Sequence, residues 1–218
     1  MLRRFILSLL LLANNVQLLL GDSSALHVAS EYGNYETAKA LIDKDPQLIN
    51  ATDEDHQTPL HYAARYGNCD IVKMLLSSGA DVNALANYGS DDSTNPPSIS
   101  ALYLAAENGH AECVKILLDN GANSSTKNND EETALHIASQ EDHYDVVKAL
   151  IDKDPKLVNI TNKDCWYPLH FAALYGHCKI VSLLLSNGAD VNALAKFKYD
   201  NSTTPPHVSA LYLVARYG

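Results

Sequence analysis

The sequence predicts an all-α fold, a solenoid of stacked helix-turn-helix units interrupted by two extended finger loops. Six similar segments, from "SALHVAS" to "SALYLVA", carry leucines at successive intervals of 34, 42, 33, 34 and 42 residues. Each complete segment is followed by a second apolar stretch and usually a glycine, as in "CDIVKMLLSSG". Residues 25–109 and 134–218 are identical at 51 of 85 positions, which indicates that a block of 109 residues was duplicated.

Two short helices are predicted in each repeat. In the first, Leu60, Ala63 and Ala64 follow the three- and four-residue spacing of one helix face, and "CDIVKMLL" has the same period. Pro59 is suited to the start of the first helix, and Gly79 to a left-handed turn after the second. Helices of about eight residues fall below the roughly 12 to 15 needed for stability alone, so stacking must stabilise them.

The intervals also define the boundaries of the array. Two intervals of 42 exceed the shorter ones by about nine residues, which we assign to finger insertions at 86–94 and 195–203. The array is expected to span 22–218. Its repeats are predicted at about 22–52, 53–85, 95–127, 128–161, 162–194 and, for a partial sixth, 204–218.

The repeats resemble the ankyrin-repeat family. "TPLHYA", residues 58–63, matches that family's T-P-L-H-x-A pattern, and "YGNCDIVKMLLSSGADVNA" supplies the rest of the repeat. The resemblance implies a non-catalytic scaffold for protein–protein interaction. It also implies that the recurrent histidines hydrogen-bond locally and order the fingers; these are His27, His61, His136 and His170.

Two features depart from the family pattern. The finger turn usually carries glycine where this sequence has His56, Glu131 and Cys165, which puts the turn geometry in question. The sixth repeat stops after its first helix, so we expect a fragment of a longer array or a truncated product. The alternative function that follows is a targeting or regulatory portion of a larger enzyme or toxin truncated at residue 218.

Residues 1–21 form a separate segment. Arg3 and Arg4 precede an apolar run, and Gly21 stands before a polar stretch, which is the pattern of a secretory signal peptide. The run is too short for a membrane span. An N-terminal cap helix is the alternative. We expect secretion rather than a cytoplasmic location.

Composition excludes several classes of function. With 16 Lys and Arg against 26 Asp and Glu, the net charge of -10 repels nucleic acid. The four cysteines, Cys69, Cys113, Cys165 and Cys178, have no zinc-ligand spacing, and we predict that all four are reduced. No motif for catalysis, a metal or a cofactor is found in the sequence, so we predict that the protein is not an enzyme and has no cofactor. We also expect a monomer.

The predicted function is binding of another protein through the concave face of the first helices and the finger tips. Trp166, the only tryptophan, either contacts a partner or packs on the neighbouring finger; a role in binding alone predicts that alanine leaves stability unchanged. The other candidates are Tyr167, His56, Tyr62, Arg65, Tyr66, Tyr88, Asp91, Asp92, Glu107, Asn108, Leu174, Tyr175, Phe197, Lys198 and Tyr199.

Overall fold

The computed structural model describes residues 22–87, 98–196 and 207–217, and this part of the chain is mostly helical. Its helices are α1 (Asp22–Tyr32), α2 (Tyr35–Lys44), α3 (Pro59–Arg65), α4 (Cys69–Ser77), α5 (Ala101–Glu107), α6 (Ala111–Asp119), α7 (Ala134–Gln140), α8 (Tyr144–Lys153), α9 (Pro168–Leu174), α10 (Cys178–Ser186) and α11 (Ala210–Tyr217). Two 3-10 turns follow α2 and α8, at Pro46–Asn50 and Pro155–Asn159. The four strands are β1 (Leu85–Ala86), β2 (Ile99–Ser100), β3 (Leu194–Lys196) and β4 (His207–Ser209).

The chain divides into two compact units. Unit 1, Met1–Ala122, contains α1 to α6, and unit 2, Asn123–Gly218, contains α7 to α11. The division falls shortly before the predicted end of the third repeat, so each unit contains one of the two similar segments, 25–109 and 134–218. Each residue of 25–109 therefore has a counterpart 109 positions later in unit 2.

Within unit 1 the first helices lie side by side, α1 against α3 and α3 against α5, and α4 packs against α6. Within unit 2, α9 lies between α7 and α11, and α8 packs against α10. Leu60, Leu75 and Leu104 are fully buried in unit 1, as are Leu135 and Leu150 in unit 2. This arrangement confirms the predicted helix-turn-helix repeats of a helical solenoid.

The two long fingers begin and end in short antiparallel ladders. Leu85 pairs with Ser100 and Ala86 with Ile99, while β3 pairs with β4 in the corresponding place of unit 2. The sequence did not predict these strands, because two or three residues are too few to show an alternating pattern. They hold the two ends of each finger together; residues 88–97 and 197–206, which contain most of both insertions, lie outside the described residues.

Finger turns in both units use the left-handed backbone region without glycine. His56, Glu131 and Cys165 have φ values of 58°, 59° and 60°, so the turn keeps its usual geometry despite the substitution. A side chain in this region costs free energy because its Cβ approaches the following carbonyl oxygen. Each of these turns is therefore a strained position that glycine would relieve.

Glycine at these tips should stabilise the protein. We expect His56→Gly and Cys165→Gly each to raise the free energy of unfolding by about 0.5–1 kcal/mol, the left-handed penalty less the extra chain entropy of glycine. Urea denaturation measures the change. Glu54→Gly, in the same tip as His56 but with an ordinary φ, is the control and should be neutral or destabilising.

The prediction that all four cysteines are reduced is wrong for two of them. Cys69 and Cys113 form a disulfide across 44 residues, with their Cα atoms 5.0 Å apart, whereas Cys165 and Cys178 are free. Cys69 begins α4 and Cys113 lies in the first turn of α6, and stacking of the two helices brings them together. Cys69 and Cys113 both lie in apolar helical runs. Such a run is also the usual environment of a free cysteine that packs as a small hydrophobic residue, so the sequence did not indicate the disulfide.

Candidate functional site

Buried histidines join the first helices α1, α3, α7 and α9 to the finger that follows. Nδ1 of His61 accepts a hydrogen bond from the Thr58 N–H at 3.1 Å, which leaves Nε2–H to donate to the Ile99 carbonyl at 3.1 Å. His136 has the same arrangement, with Nε2 3.1 Å from the Trp166 carbonyl oxygen. Burial lowers the pKa of both histidines from 6.5 to about 4, so they are neutral at pH 7.

The other two histidines of the series make equivalent bonds. His27 Nε2 lies 2.9 Å from the Gln57 carbonyl oxygen, and His170 Nε2 lies 3.1 Å from that of Ala193. These contacts confirm the expectation that the recurrent histidines order the fingers. Among residues 22–87, 98–196 and 207–217, no three His, Cys, Asp or Glu side chains converge as a metal site requires.

Asp and Asn side chains shape the finger tips. In unit 1, Asp53 Oδ1 accepts hydrogen bonds from the backbone N–H groups of Asp55 at 3.0 Å and Gln57 at 2.8 Å. Asn162 makes the same two bonds in unit 2, to Asp164 and Trp166. These local bonds mimic a backbone turn, so the tips are fixed before any partner binds.

Unit 1 has a cleft between α1, the finger that includes Thr52 and Asp53, and α3. It has a volume of about 180 Å³ and is lined by Ser24, His27, Val28, Glu31, Thr52, Asp53 and Tyr62. The Tyr62 hydroxyl donates to Asp53 Oδ2 at 2.7 Å, and its ring meets that of His27 edge-on at 5.4 Å. The cleft therefore combines two carboxylates with a fixed aromatic wall.

Electrostatics at this cleft favour cations. Burial and the hydrogen bond to Asp53 raise the pKa of Tyr62, with further contributions from the charges of Asp53 and Glu31. Tyr62 thus stays protonated and keeps donating to Asp53. The Coulomb energy of a cation near two carboxylates in a partly dehydrated cleft is larger than in bulk water.

The counterpart of this cleft in unit 2 has lost its charges. At three lining positions the acidic or hydroxylated residue is replaced by a neutral one of nearly the same shape: Glu31 by Gln140, Asp53 by Asn162, and Tyr62 by Phe171. Phe171 has no hydroxyl to donate, and Asn162 instead donates through Nδ2 to Glu132 at 3.3 Å. The shape of the turn is the same in both units, while the electrostatic potential at these positions differs.

Glu132 is the carboxylate nearest to this finger of unit 2. It receives hydrogen bonds from the side-chain amides of Asn128 and Asn162, at 3.4 Å and 3.3 Å. Burial raises the pKa of Glu132 above its usual value, against the effect of these bonds. Its carboxylate, like that of Asp53 in unit 1, accepts hydrogen bonds from the finger itself.

Trp166 is anchored within unit 2. Its indole N–H donates to the Lys196 carbonyl on β3 at 2.8 Å, and its ring lies 5.2 Å from the Phe171 ring. The side chain is half-buried. These contacts give Trp166 a structural role on the neighbouring finger, and the rest of its surface is open to a partner.

Loss of the Trp166 ring should therefore destabilise unit 2. We expect Trp166→Ala to lower the free energy of unfolding by about 1–3 kcal/mol, since both the ring contact and the hydrogen bond are lost. Trp166→Phe should cost less, because an aromatic ring is kept and only the N–H donor and the extra area of the indole are lost. Thermal unfolding followed by circular dichroism tests both variants; an unchanged melting temperature for the alanine variant would assign Trp166 to binding alone.

The remaining sequence-predicted residues have different surroundings. Tyr66, Asn108 and Tyr175 directly follow first helices and are exposed, as is His56 at its tip. Arg65, Glu107 and Leu174, at the ends of α3, α5 and α9, are half-buried, and so is Tyr167, whose ring lies 5.6 Å from that of His170. Six candidates lie outside the described residues: Tyr88, Asp91, Asp92, Phe197, Lys198 and Tyr199.

Sequence reasoning missed Glu31 and Asp53. Neither belongs to a motif that the sequence shows, and they line one cleft with Tyr62 only because three separate elements converge in the fold. The duplicated block held a signal that would have found them. Three positions that lie together in the folded cleft differ between the two copies: two acids of unit 1 correspond to amides in unit 2, and a tyrosine corresponds to a phenylalanine.

The stacked hairpins, their histidine-ordered fingers and the exposed ends of the first helices define the class of helical-repeat proteins. A family model for ankyrin repeats matches the chain three times, over residues 4–86, 82–164 and 102–195. The chain belongs to the ankyrin-repeat family. Ankyrin repeats are generally protein–protein interaction modules and generally non-catalytic.

No curated protein matches the chain. Within the part that the structure describes, no helix has the length and apolar character needed to cross a membrane. The first family match begins at residue 4 and so includes most of the segment 1–21, for which a signal peptide and a cap helix both stay predictions.

Proposed function

We propose that this protein is a non-catalytic scaffold that binds a partner protein through its finger tips and the C-terminal ends of its first helices. The observation that carries the proposal is the cleft of unit 1, where a fixed tip, a tyrosine and two carboxylates face an open space. The exposed Tyr66 and Tyr175 support it, since tyrosine is enriched at binding hot spots.

The two units are proposed to recognise different chemistry. In unit 1, Glu31 and Asp53 favour a partner segment that presents a lysine or arginine to the cleft. In unit 2 the corresponding Gln140 and Asn162 carry no charge, and the aromatic surface of Trp166 and Phe171 favours an apolar or aromatic segment. A partner with one basic and one apolar segment would suit both units.

Matched tyrosines test the proposal. Tyr66 and Tyr175, at the ends of first helices, are 41% and 53% exposed, whereas Tyr35 and Tyr144, on second helices, are 40% and 39% exposed. A partner is first isolated by crosslinking to the wild-type chain and then titrated against each variant by calorimetry. Tyr66→Ala or Tyr175→Ala should weaken binding about 5- to 30-fold, and Tyr35→Ala or Tyr144→Ala less than about twofold.

Charge removal in the cleft provides the second arm. Glu31→Gln with Asp53→Asn reproduces the unit 2 sequence at these positions, so the backbone of the tip has a natural precedent for this change. We expect weaker binding and a smaller dependence of affinity on salt. Weaker binding caused by the second-helix variants alone would contradict the proposal.

We also propose that the protein works in an oxidising compartment. The Cys69–Cys113 disulfide supports this, because such bonds persist in secreted proteins and are rare in the cytosol. The Arg-led apolar segment 1–21 supports it independently. N-terminal sequencing of protein recovered from the medium tests the proposal; Met1 retained in the lysate, with nothing secreted, contradicts it.

A further inference from the structure

Four segments of the chain have the form Asn-x-Ser/Thr, the acceptor pattern for an N-linked oligosaccharide. They are residues 50–52 ("NAT"), 123–125 ("NSS"), 159–161 ("NIT") and 201–203 ("NST"). The fourth lies outside the described residues. Asn50, Asn123 and Asn159 are all exposed, so exposure does not distinguish them. Their hydrogen bonds do.

Asn50 and Asn159 use both ends of their side-chain amides to join neighbouring repeats. Asn50 Oδ1 accepts a hydrogen bond from the Asp81 N–H at 2.9 Å, and Asn50 Nδ2 donates to the Gly79 carbonyl at 3.2 Å. Asn159 makes the same pair of bonds in unit 2, with the corresponding N–H at 3.1 Å and the corresponding carbonyl at 2.9 Å. Each side chain thus forms two bonds with one loop of the next repeat.

A sugar on Nδ2 conflicts with this pair of bonds. N-glycosylation replaces one of the two Nδ2 hydrogens by a sugar carbon, and a substituted amide prefers the trans form. The trans form places the sugar carbon on the same side of the amide as Oδ1. The hydrogen that donates to the loop lies on that side too, because Oδ1 and Nδ2 bond to the same loop. A glycan at Asn50 or Asn159 would therefore displace the Nδ2 bond.

Asn123 forms a turn that requires only its side-chain oxygen. Its Oδ1 accepts from the Ser125 N–H at 3.0 Å, and its carbonyl accepts from the Thr126 N–H at 3.2 Å. Asp81 and Asp190 occupy the equivalent place in their repeats, two residues after a glycine. Each accepts the N–H two residues later through Oδ1 at 2.9 Å. Since aspartate has no side-chain nitrogen, this turn forms without one.

We propose that, among the described asparagines, Asn123 is the acceptor of an N-linked oligosaccharide and that Asn50 and Asn159 stay unmodified in the folded protein. The inference rests on the oxidising compartment under Proposed function, because this modification belongs to secreted proteins. A chain modified at Asn50 or Asn159 loses a bond between neighbouring repeats. We expect such a chain to fold poorly and to be depleted from the secreted protein.

The transfer forms one bond and breaks one. Asn123 Nδ2 attacks C1 of the first sugar of an oligosaccharide that is carried on a lipid diphosphate, and Nδ2 loses one proton to a base of the transferase. The bond between C1 and the diphosphate oxygen breaks, and the lipid diphosphate leaves with the electron pair. The step needs no oxidant or reductant.

The occupancy of each asparagine in secreted protein tests the proposal. The full chain is expressed in cultured animal cells, once with its own N-terminus and once with a cleavable signal peptide of the host placed before Met1. Peptide N-glycosidase in heavy-oxygen water converts each glycosylated asparagine into labelled aspartate, which mass spectrometry then measures. We expect the label at Asn123 in most molecules from the medium and at Asn50 and Asn159 in few. Ser125→Ala should abolish the label at Asn123, and Ser125→Thr should keep it.

Matched aspartate variants test the structural premise in protein made by cells without the transferase. Asn123→Asp introduces the residue of the equivalent turns and should leave thermal unfolding unchanged. Asn50→Asp should lower the melting temperature of unit 1 by about 4–8 °C, because the Nδ2 donor is lost and a carboxylate faces a carbonyl oxygen. Equal losses for these two variants would overturn the inference.

The compartment and the acceptor site fail in different ways. Native chain found only in the lysate, with the host-signal chain labelled at Asn123, would contradict the oxidising compartment and support Asn123 as an acceptor. Host-signal chain in the medium without label at Asn123, or with equal label at Asn50 and Asn159, would overturn the inference.

Discussion

Reduction of the Cys69–Cys113 disulfide is expected to lower the free energy of unfolding of unit 1 by about 4 kcal/mol. The bond closes a loop across 44 residues, and its loss restores the corresponding conformational entropy to the unfolded chain. Because Cys113 is fully buried in the contact between α4 and α6, its thiol stays in apolar surroundings after reduction. The increased conformational entropy of the unfolded chain is therefore the main cause of the lower free energy of unfolding.

Hydrogen exchange at the amides of α4 and α6 measures this change with and without reductant. Fluorescence of Trp166, which lies in unit 2, gives a separate reference transition. Cys113→Ala should reproduce the effect without reductant, and Cys178→Ser should leave unit 1 unaffected. A loss below about 1 kcal/mol would mean that the bond adds little to a stack that is already held by packing.

Acidification from pH 7 to pH 5 should destabilise each unit by about 2 kcal/mol through one buried histidine. Burial lowers the pKa of His61 in unit 1 and of His136 in unit 2 to about 4, while the unfolded chain titrates near 6.5. Below pH 6.5 the unfolded state binds protons that the folded state does not. The free energy of unfolding therefore decreases as the pH is lowered, until the pH passes the pKa of the folded state.

Urea denaturation at pH 7, 6 and 5 tests this dependence. His61→Gln should flatten the pH dependence of unit 1, whereas His56→Gln, at an exposed position in the finger that precedes α3, is the control. The raised pKa of Glu132 acts in the opposite direction in unit 2, because it favours the folded state at low pH. Burial also lowers the pKa of His170, which adds to the loss in unit 2. Stability independent of pH in both units would contradict the assignment of the buried histidines.

The sequence was sufficient for the repeat because the repeat is a local pattern. Leu60 and Ala63 on one helix, with Gly79 after the next, fix a helix-turn-helix unit within about twenty residues. The role of His61 followed from the family resemblance, because only its Thr58 partner is local and Ile99 lies 38 residues away in the next finger. Duplication of the block then extended the same reasoning to unit 2.

Contacts between repeats were beyond such reasoning. Pairing of Cys69 with Cys113 depends on which turns of two stacked helices meet, and a helical period does not specify that. The cleft of unit 1 likewise joins Glu31, Asp53 and Tyr62 from three elements. Trp166 was ambiguous because its acceptor, the Lys196 carbonyl, lies on a strand that the sequence did not predict.

Hydrogen exchange of the protein bound to its isolated partner tests directly whether the finger tips and first helices form the binding surface. We predict slower exchange at the finger tip of residues 53–57 and at the ends of α3 and α9, with α4 and α10 unchanged. Protection confined to the second helices, with the tips and first helices exchanging as in the free protein, would contradict it.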